Sequence, residues 1–211
     1  MLAIVGGKGG CGKTTTALGL GRALADSGRR PTVVDADTAM PNLHTRADVP
    51  RTPGIDVIDG GAIDRVRHRS GRFSGVSVVP AGHSDSSLSR ETLDRLRSLE
   101  EPILLDCPAG ADEGVVGPLR ATDRALVVST ATPQGLTDGI KTAALVRALG
   151  TELAGAVVTR VEADPRFDDS PFGADCPVLA TVDETSGDPL ATTVGRVAYD
   201  RVRRALAERN L

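Results

Sequence analysis

The chain has 211 residues, 40% of them hydrophobic, with 25 basic and 28 acidic side chains and a formal net charge of -3. The length suits one α/β domain with a sizeable core, the slight negative balance excludes a bulk field that draws polyanions, and no apolar stretch approaches the roughly 18 residues of a membrane-spanning helix. Cys11, Cys107 and Cys176 are far apart and form no C-x-x-C pair, which argues against a disulfide framework or a cysteine zinc site; with no signal-like leader, free thiols in the cytoplasm are expected.

The apolar run Met1–Val5 reads as a buried strand, and Thr14–Asp26 has the apolar spacing of a helix. Between them, Gly7-Lys8-Gly9-Gly10-Cys11-Gly12-Lys13-Thr14 fits G-x-x-x-x-G-K-[ST], a phosphate-binding loop. Glycines let the backbone curl so that N–H groups face phosphate oxygens, and the following helix contributes its positive end. In such a loop Lys13 reaches the β/γ-phosphates and the Thr14 hydroxyl ligates Mg²⁺, with Thr15 beside it.

A short strand over 31–35 then closes on Asp35 and Asp37, and further strands are expected near 55–58 and 76–79. The run Ile103-Leu104-Leu105-Asp106 ends a strand over 102–106 and leads into Cys107-Pro108-Ala109-Gly110. A strand over 124–130, a helix from Gly135 to Leu149 and strands over 154–159 and 177–181 follow. Alternating strand and helix patterns predict an α/β fold with a mostly parallel sheet covered on both faces. The glycine loop, Asp35, Asp37 and Asp106 then all fall at carboxyl ends of strands, where open sheets of this kind bind ligands.

Lys8-Gly9-Gly10-Cys11-Gly12-Lys13-Thr14 matches K-G-G-x-G-K-[ST] at every fixed position, and the chain resembles the MinD/ParA group of P-loop ATPases with that deviant Walker A motif. The resemblance implies ATP and Mg²⁺ as cofactors, and a Lys8 that crosses a dimer interface to the phosphates held by the other subunit, as an arginine finger does. Asp35 through Leu43 looks like the group's switch I, D-x-D-x-x-x-x-N-L. By that match Asp37 orients the attacking water and lies near the metal with Thr14 and Asp106; Asp35 supports it and Asn42 belongs to the same switch. Asp106 through Gly110 resembles the switch II segment, with Asp106 holding the waters of Mg²⁺ and Gly110 a hinge. Asp138, on the helix after Thr132-Pro133, resembles the group's aspartate there. Thr159-Arg160 stands where many relatives place Asn-Arg against adenine; ATP is expected over GTP, and no N-K-x-D guanine reader occurs.

The implied function is an ATP-dependent homodimer with slow hydrolysis, serving positioning, partitioning or division through an unidentified stimulating protein or cargo. No basic membrane-gripping tail of the MinD kind is seen: Val194, Val197, Ala198, Val202, Ala205 and Leu206 form a helical stripe without bulky aromatics and read as core packing. DNA contact of the ParA kind would use Arg196, Arg201, Arg203, Arg204 and Arg209 or Arg65, Arg67, Arg69 and Arg72; such runs are as a rule solvated faces, and nothing in the chain demands DNA. The segment His83–Leu88 is placed at the dimer-facing surface. Two alternatives stay open at this level, a metal-cluster carrier related to nitrogenase iron protein and a metabolic ligase of the same superfamily. Oxidation of Cys11 and Cys107, expected in loops that meet at the phosphates, would inhibit activity.

Overall fold

The computed structural model describes residues 1–58, 63–84, 88–110, 113–162 and 170–209. Its strands are β1 (Leu2–Gly6), β2 (Thr32–Asp35), β3 (His68–Arg69), β4 (Ser77–Val79), β5 (Ile103–Ala109), β6 (Arg124–Thr130), β7 (Glu152–Val161) and β8 (Val178–Asp183). The helices are α1 (Lys13–Asp26), α2 (Leu43–Ala47), α3 (Arg90–Arg97), α4 (Glu113–Ala121), α5 (Pro133–Ala148) and α6 (Thr193–Glu208). The strands form one sheet in the order β3-β4-β2-β5-β1-β6-β7-β8. Every pair is parallel except β3 with β4.

Alternation along the strands builds two cores, one on each face of the sheet. Leu2 and Ile4 of β1 join Leu18 and Leu20 of α1 and Tyr199, Val202 and Leu206 of α6. Ala3 and Val5 point the other way, to Leu93 of α3, Leu119 of α4 and Val146 of α5. A strand covered on both sides must be apolar at consecutive positions, which is why β1 is a continuous run and not an alternating one.

Three elements differ from the sequence expectation. Residues 55–58 are not a strand: Ile55–Val57 form a 3-10 turn, held where the Ile55 N–H donates to Pro80 O at 2.8 Å, with Ile55 buried and Val57 exposed. The I-D-V pattern alternates as a strand would, yet the segment crosses the end of β4 and pairs with no strand. β5 runs past Asp106 to Ala109, because a register shift between Ile4 and Gly6 of β1 accommodates the extra length and lets Pro108, which has no N–H to donate, sit in a strand. β3 was not foreseen; two polar residues become a strand only by pairing with β4. In α6, Ala198, Tyr199, Val202 and Leu206 are buried as a core stripe, while Val194 and Val197 are exposed.

Candidate phosphate-binding site

The glycine loop leaves the end of β1, crosses above the sheet and enters α1. Gly10 and Gly12 take φ of 75° and 100°, left-handed conformations that L side chains rarely adopt, so the turn itself demands glycine there. Gly12 is also the residue before α1, and it supplies no side-chain cap; the first turn of α1 holds no acidic residue either. The N-termini of α3, α5 and α6 are closed by the hydroxyls of Ser89, Thr132 and Thr192, which accept backbone N–H bonds. The start of α1 has no such closure, and its unpaired N–H groups and dipole favour an anion.

Lys13 is 7% exposed; its Nζ donates to Lys8 O at 3.5 Å. Lys8 is half-buried and Gly9 exposed at the lip of the loop. Thr15 is buried and Thr14 half-buried at the start of α1, and the Thr14 hydroxyl stands close enough to the Asp106 carboxylate to favour its ionised form. Asp138 of α5 packs against Gly7. At the far side of the loop, the Thr159 hydroxyl donates to Cys11 O at 2.8 Å and Arg160 Nη2 donates to Gly10 O at 2.8 Å. Both of the expected base-contacting residues thus brace the loop from the end of β7.

Asp35, at the end of β2, is directly paired in register with Asp106 within β5, and both are buried. The Asp35 carboxylate accepts the N–H of Asp37 and that of Leu43, each at 3.2 Å. It therefore ties both ends of the segment 37–43 to the sheet. Asp37 is less buried and accepts the Met40 N–H at 3.1 Å; Asn42 is exposed immediately before α2 and makes no capping bond. Gly110 follows β5 with φ of 95°, and its N–H donates to Gly6 O at 3.2 Å, which keeps switch II beside the loop.

Burial, and for Asp35 the neighbouring Asp106 charge, push Asp35 up to about 8. Burial likewise pushes Asp106 up to about 7, against the lowering pull of the Thr14 hydroxyl and Lys13. Oδ1 of Asp106 is buried without a hydrogen-bond partner. An orphaned carboxylate oxygen beside a threonine hydroxyl is the donor set a hydrated Mg²⁺ requires, since this ion keeps several waters and takes oxygen ligands.

Carboxyls raised in the folded state bind more protons folded than unfolded, so their stabilising contribution is complete near pH 4 and is lost as pH rises toward 8. Without ligand, the urea midpoint is expected to fall between about pH 5 and about pH 8, and Asp106→Asn to flatten that slope and gain about 2 kcal/mol at pH 8. A wild-type midpoint that rises over this window would refute the buried-pair account.

Cys11 and Cys107 are both fully buried, Cys11 beneath the loop against Gly6 and Cys107 within β5. Burial raises both thiol pKa values, which removes the reactive thiolate. The expected oxidation-sensitive loop is instead underlain by two inert core thiols.

Arg46 and Tyr199 escaped the sequence reading. Arg46 of α2 donates from Nη1 to the Thr15 hydroxyl at 3.2 Å. The Tyr199 hydroxyl lies 3.4 Å from Thr16 Oγ1. The available signals were a cation on the short helix after Asn42 and the chain's single tyrosine. Of the segment placed at a dimer surface, residues 85–87 lie outside the described residues.

Comparison with known proteins agrees with this geometry. The pattern of the CobQ/CobB/MinD/ParA nucleotide binding domain matches residues 2–171. An uncharacterized ATP-binding protein of Methanocaldococcus jannaschii is 36% identical over 169 residues, covering 76% of this chain and 64% of that protein. A MinD of Synechocystis is 28% identical over 171 residues, covering 76% and 64%. The chain thus spans a little under two thirds of the length of these curated relatives. The cell division ATPase MinD of Pyrococcus furiosus superposes with a TM-score of 0.80 at 28% identity, covering 98% of both chains. A match over most of the chain, on a sheet and loop of this construction, makes the protein a member of the CobQ/CobB/MinD/ParA nucleotide-binding domain family.

Proposed function

We propose that the chain is a MinD/ParA-like ATPase whose dimerisation is switched by Mg-ATP and which hydrolyses ATP slowly to time the positioning, partitioning or division of a cellular component. The observation that carries this reading is the contrast between the two loop lysines. Lys13 is buried within charge range of Asp106, whereas the Lys8 side chain has no bonding partner of its own chain among the described residues and stands at the lip of the loop. A cation left unpaired there is suited to complete the site of a second subunit.

In that reading the loop N–H groups and Lys13 hold the phosphates, and the uncapped start of α1 adds its dipole. Thr14 would bind Mg²⁺ directly and Asp106 would hold its waters, with Asp37 near the same position; the ion would supply neutralisation of the phosphate charge. Asp37 orients the attacking water, and it needs no proton transfer because positioning and charge stabilisation account for most phosphoryl-transfer catalysis. Asp35, anchored to two backbone N–H groups, sets where Asp37 stands. Thr159 and Arg160 act on the base side of the loop and keep its curl.

A cluster carrier needs accessible thiols at a two-fold axis, and all three cysteines are buried. DNA contact gains little support: Arg67 pairs with Glu101, Arg72 with Asp188, Arg196 with Asp26, and Arg203 and Arg204 with Asp200. Among the described residues no helix is long and apolar enough to cross a membrane.

Light scattering on Asp37→Ala tests the switch. The variant is expected to be a monomer with ADP and a dimer with Mg-ATP, and Asp37→Ala/Lys8→Ala to remain a monomer with either. A mass indifferent to nucleotide would overturn the switch, and a double variant that still dimerised would overturn the role of Lys8.

A further inference from the structure

Arg46 stands on α2, directly after switch I, and reaches back across the site to α1. Its Nη1 donates to Thr15 Oγ1 at 3.2 Å, within the uncapped first turn where the phosphates would seat. The guanidinium carries five N–H donors in a planar fork suited to phosphate oxygens; the Thr15 contact is its one side-chain bond among the described residues. Arg46 is exposed, yet its charge is felt at Asp106 and at Tyr199, so its guanidinium lies over the start of α1.

The segment beneath holds α2 in place. Arg72 Nη1 donates to Arg46 O at 3.5 Å, Ser70 Oγ donates to Ala47 O at 2.7 Å, and the Gly71 N–H donates to Asp48 O at 3.2 Å. Arg72 is itself ion-paired with Asp188. At the other end of α2, Asp35 holds the Leu43 N–H. A braced helix presenting one underused guanidinium to an anion-binding turn is a positioned ligand group.

Resting on the nucleotide-binding reading above, we infer that Arg46 is a phosphate-binding residue: it contacts a phosphate that ATP and ADP share, seated on α1 at Thr15, and so ties switch I to bound nucleotide in either state. Lys8 completes the site only for the triphosphate dimer; Arg46 acts within its own subunit and does not distinguish the two nucleotides. Loss of Arg46 therefore weakens ADP and ATP equally.

The test is isothermal titration of Mg-ADP and Mg-ATP into wild type, Arg46→Ala, Arg46→Lys, Lys13→Ala and, as a control at an exposed position of α4, Arg120→Ala, with melting curves to verify folding. Arg46→Ala is expected to raise Kd for both nucleotides about tenfold, with a shallower salt dependence, and Arg46→Lys to recover most of the loss, as charge-assisted phosphate contacts do. Arg120→Ala is expected to match wild type. Equal affinities for wild type and Arg46→Ala, or equal losses for the alanine and lysine variants, would overturn the assignment. If Lys13→Ala loses binding while Arg46→Ala keeps it, Arg46 alone is wrongly assigned; if wild type binds neither nucleotide, the functional reading falls with it.

Discussion

Lys13→Ala is expected to bind ATP and ADP about 100-fold more weakly than wild type, roughly 3 kcal/mol. Lys13 is the buried cation of the loop, and its ammonium lies on Lys8 O, a carbonyl of the same curl. That carbonyl is a weak partner compared with a phosphate, so the ammonium is available when nucleotide arrives. Alanine leaves the loop N–H groups and the α1 dipole but removes the full positive charge that a polyphosphate meets inside the site. The same change takes away the cation that helps keep Asp106 ionised. Titration calorimetry with Mg-ADP measures the loss directly. An affinity within threefold of wild type would mean that phosphates do not seat in this loop.

Gly19→Ala is expected to destabilise the fold by about 3 kcal/mol, against the direction that helix propensity gives. Within an isolated helix alanine is favoured over glycine by about 1 kcal/mol. Here a Cβ at position 19 would stand 2.3 Å from the Tyr199 ring, and the ring is 1% exposed with α1 and α6 closed around it. Overpacking of that kind forces off-rotamer side chains or moves the backbone, typically by 1–3 kcal/mol and sometimes more. Because Tyr199 also lies against Thr16 in the first turn of α1, displacement of α6 disturbs the start of α1. Urea unfolding of Gly19→Ala, and of Gly19→Ala/Tyr199→Leu in which part of the loss returns, separates the two contributions. A stabilised Gly19→Ala would show that propensity outweighs the α1–α6 contact.

The phosphate loop was legible because its requirements are local. Left-handed turns need glycine at Gly10 and Gly12, and Lys13 and Thr14 stand beside the helix start, so the whole motif is written in consecutive residues. Asp35, Asp37 and Asp106 stood out for a related reason: an apolar run that reaches a carboxylate puts it near the carboxyl end of a strand, although β5 runs on from Asp106 to Ala109. The strand at 55–58 misled, since alternation in four residues describes a pattern and carries no information about whether a partner strand lies alongside. β3 was invisible for the converse reason, being defined wholly by its neighbour.

What the sequence determined by itself is the chemistry on offer: a phosphate-loop motif with two lysines, three aspartates at or near the carboxyl ends of apolar strands, and an α/β order of elements. Those follow from backbone conformation and hydrophobic periodicity over a few residues. Only the tertiary structure decided that Asp35 and Asp106 stand side by side and resist ionisation, that Cys11 and Cys107 are core groups, that Thr159 braces the loop, and that Arg46 and Tyr199 reach α1 at all. Each of these depends on residues about 30 to 180 positions apart brought together by sheet order and helix packing, and the pKa and bonding of a side chain are properties of that assembled surrounding.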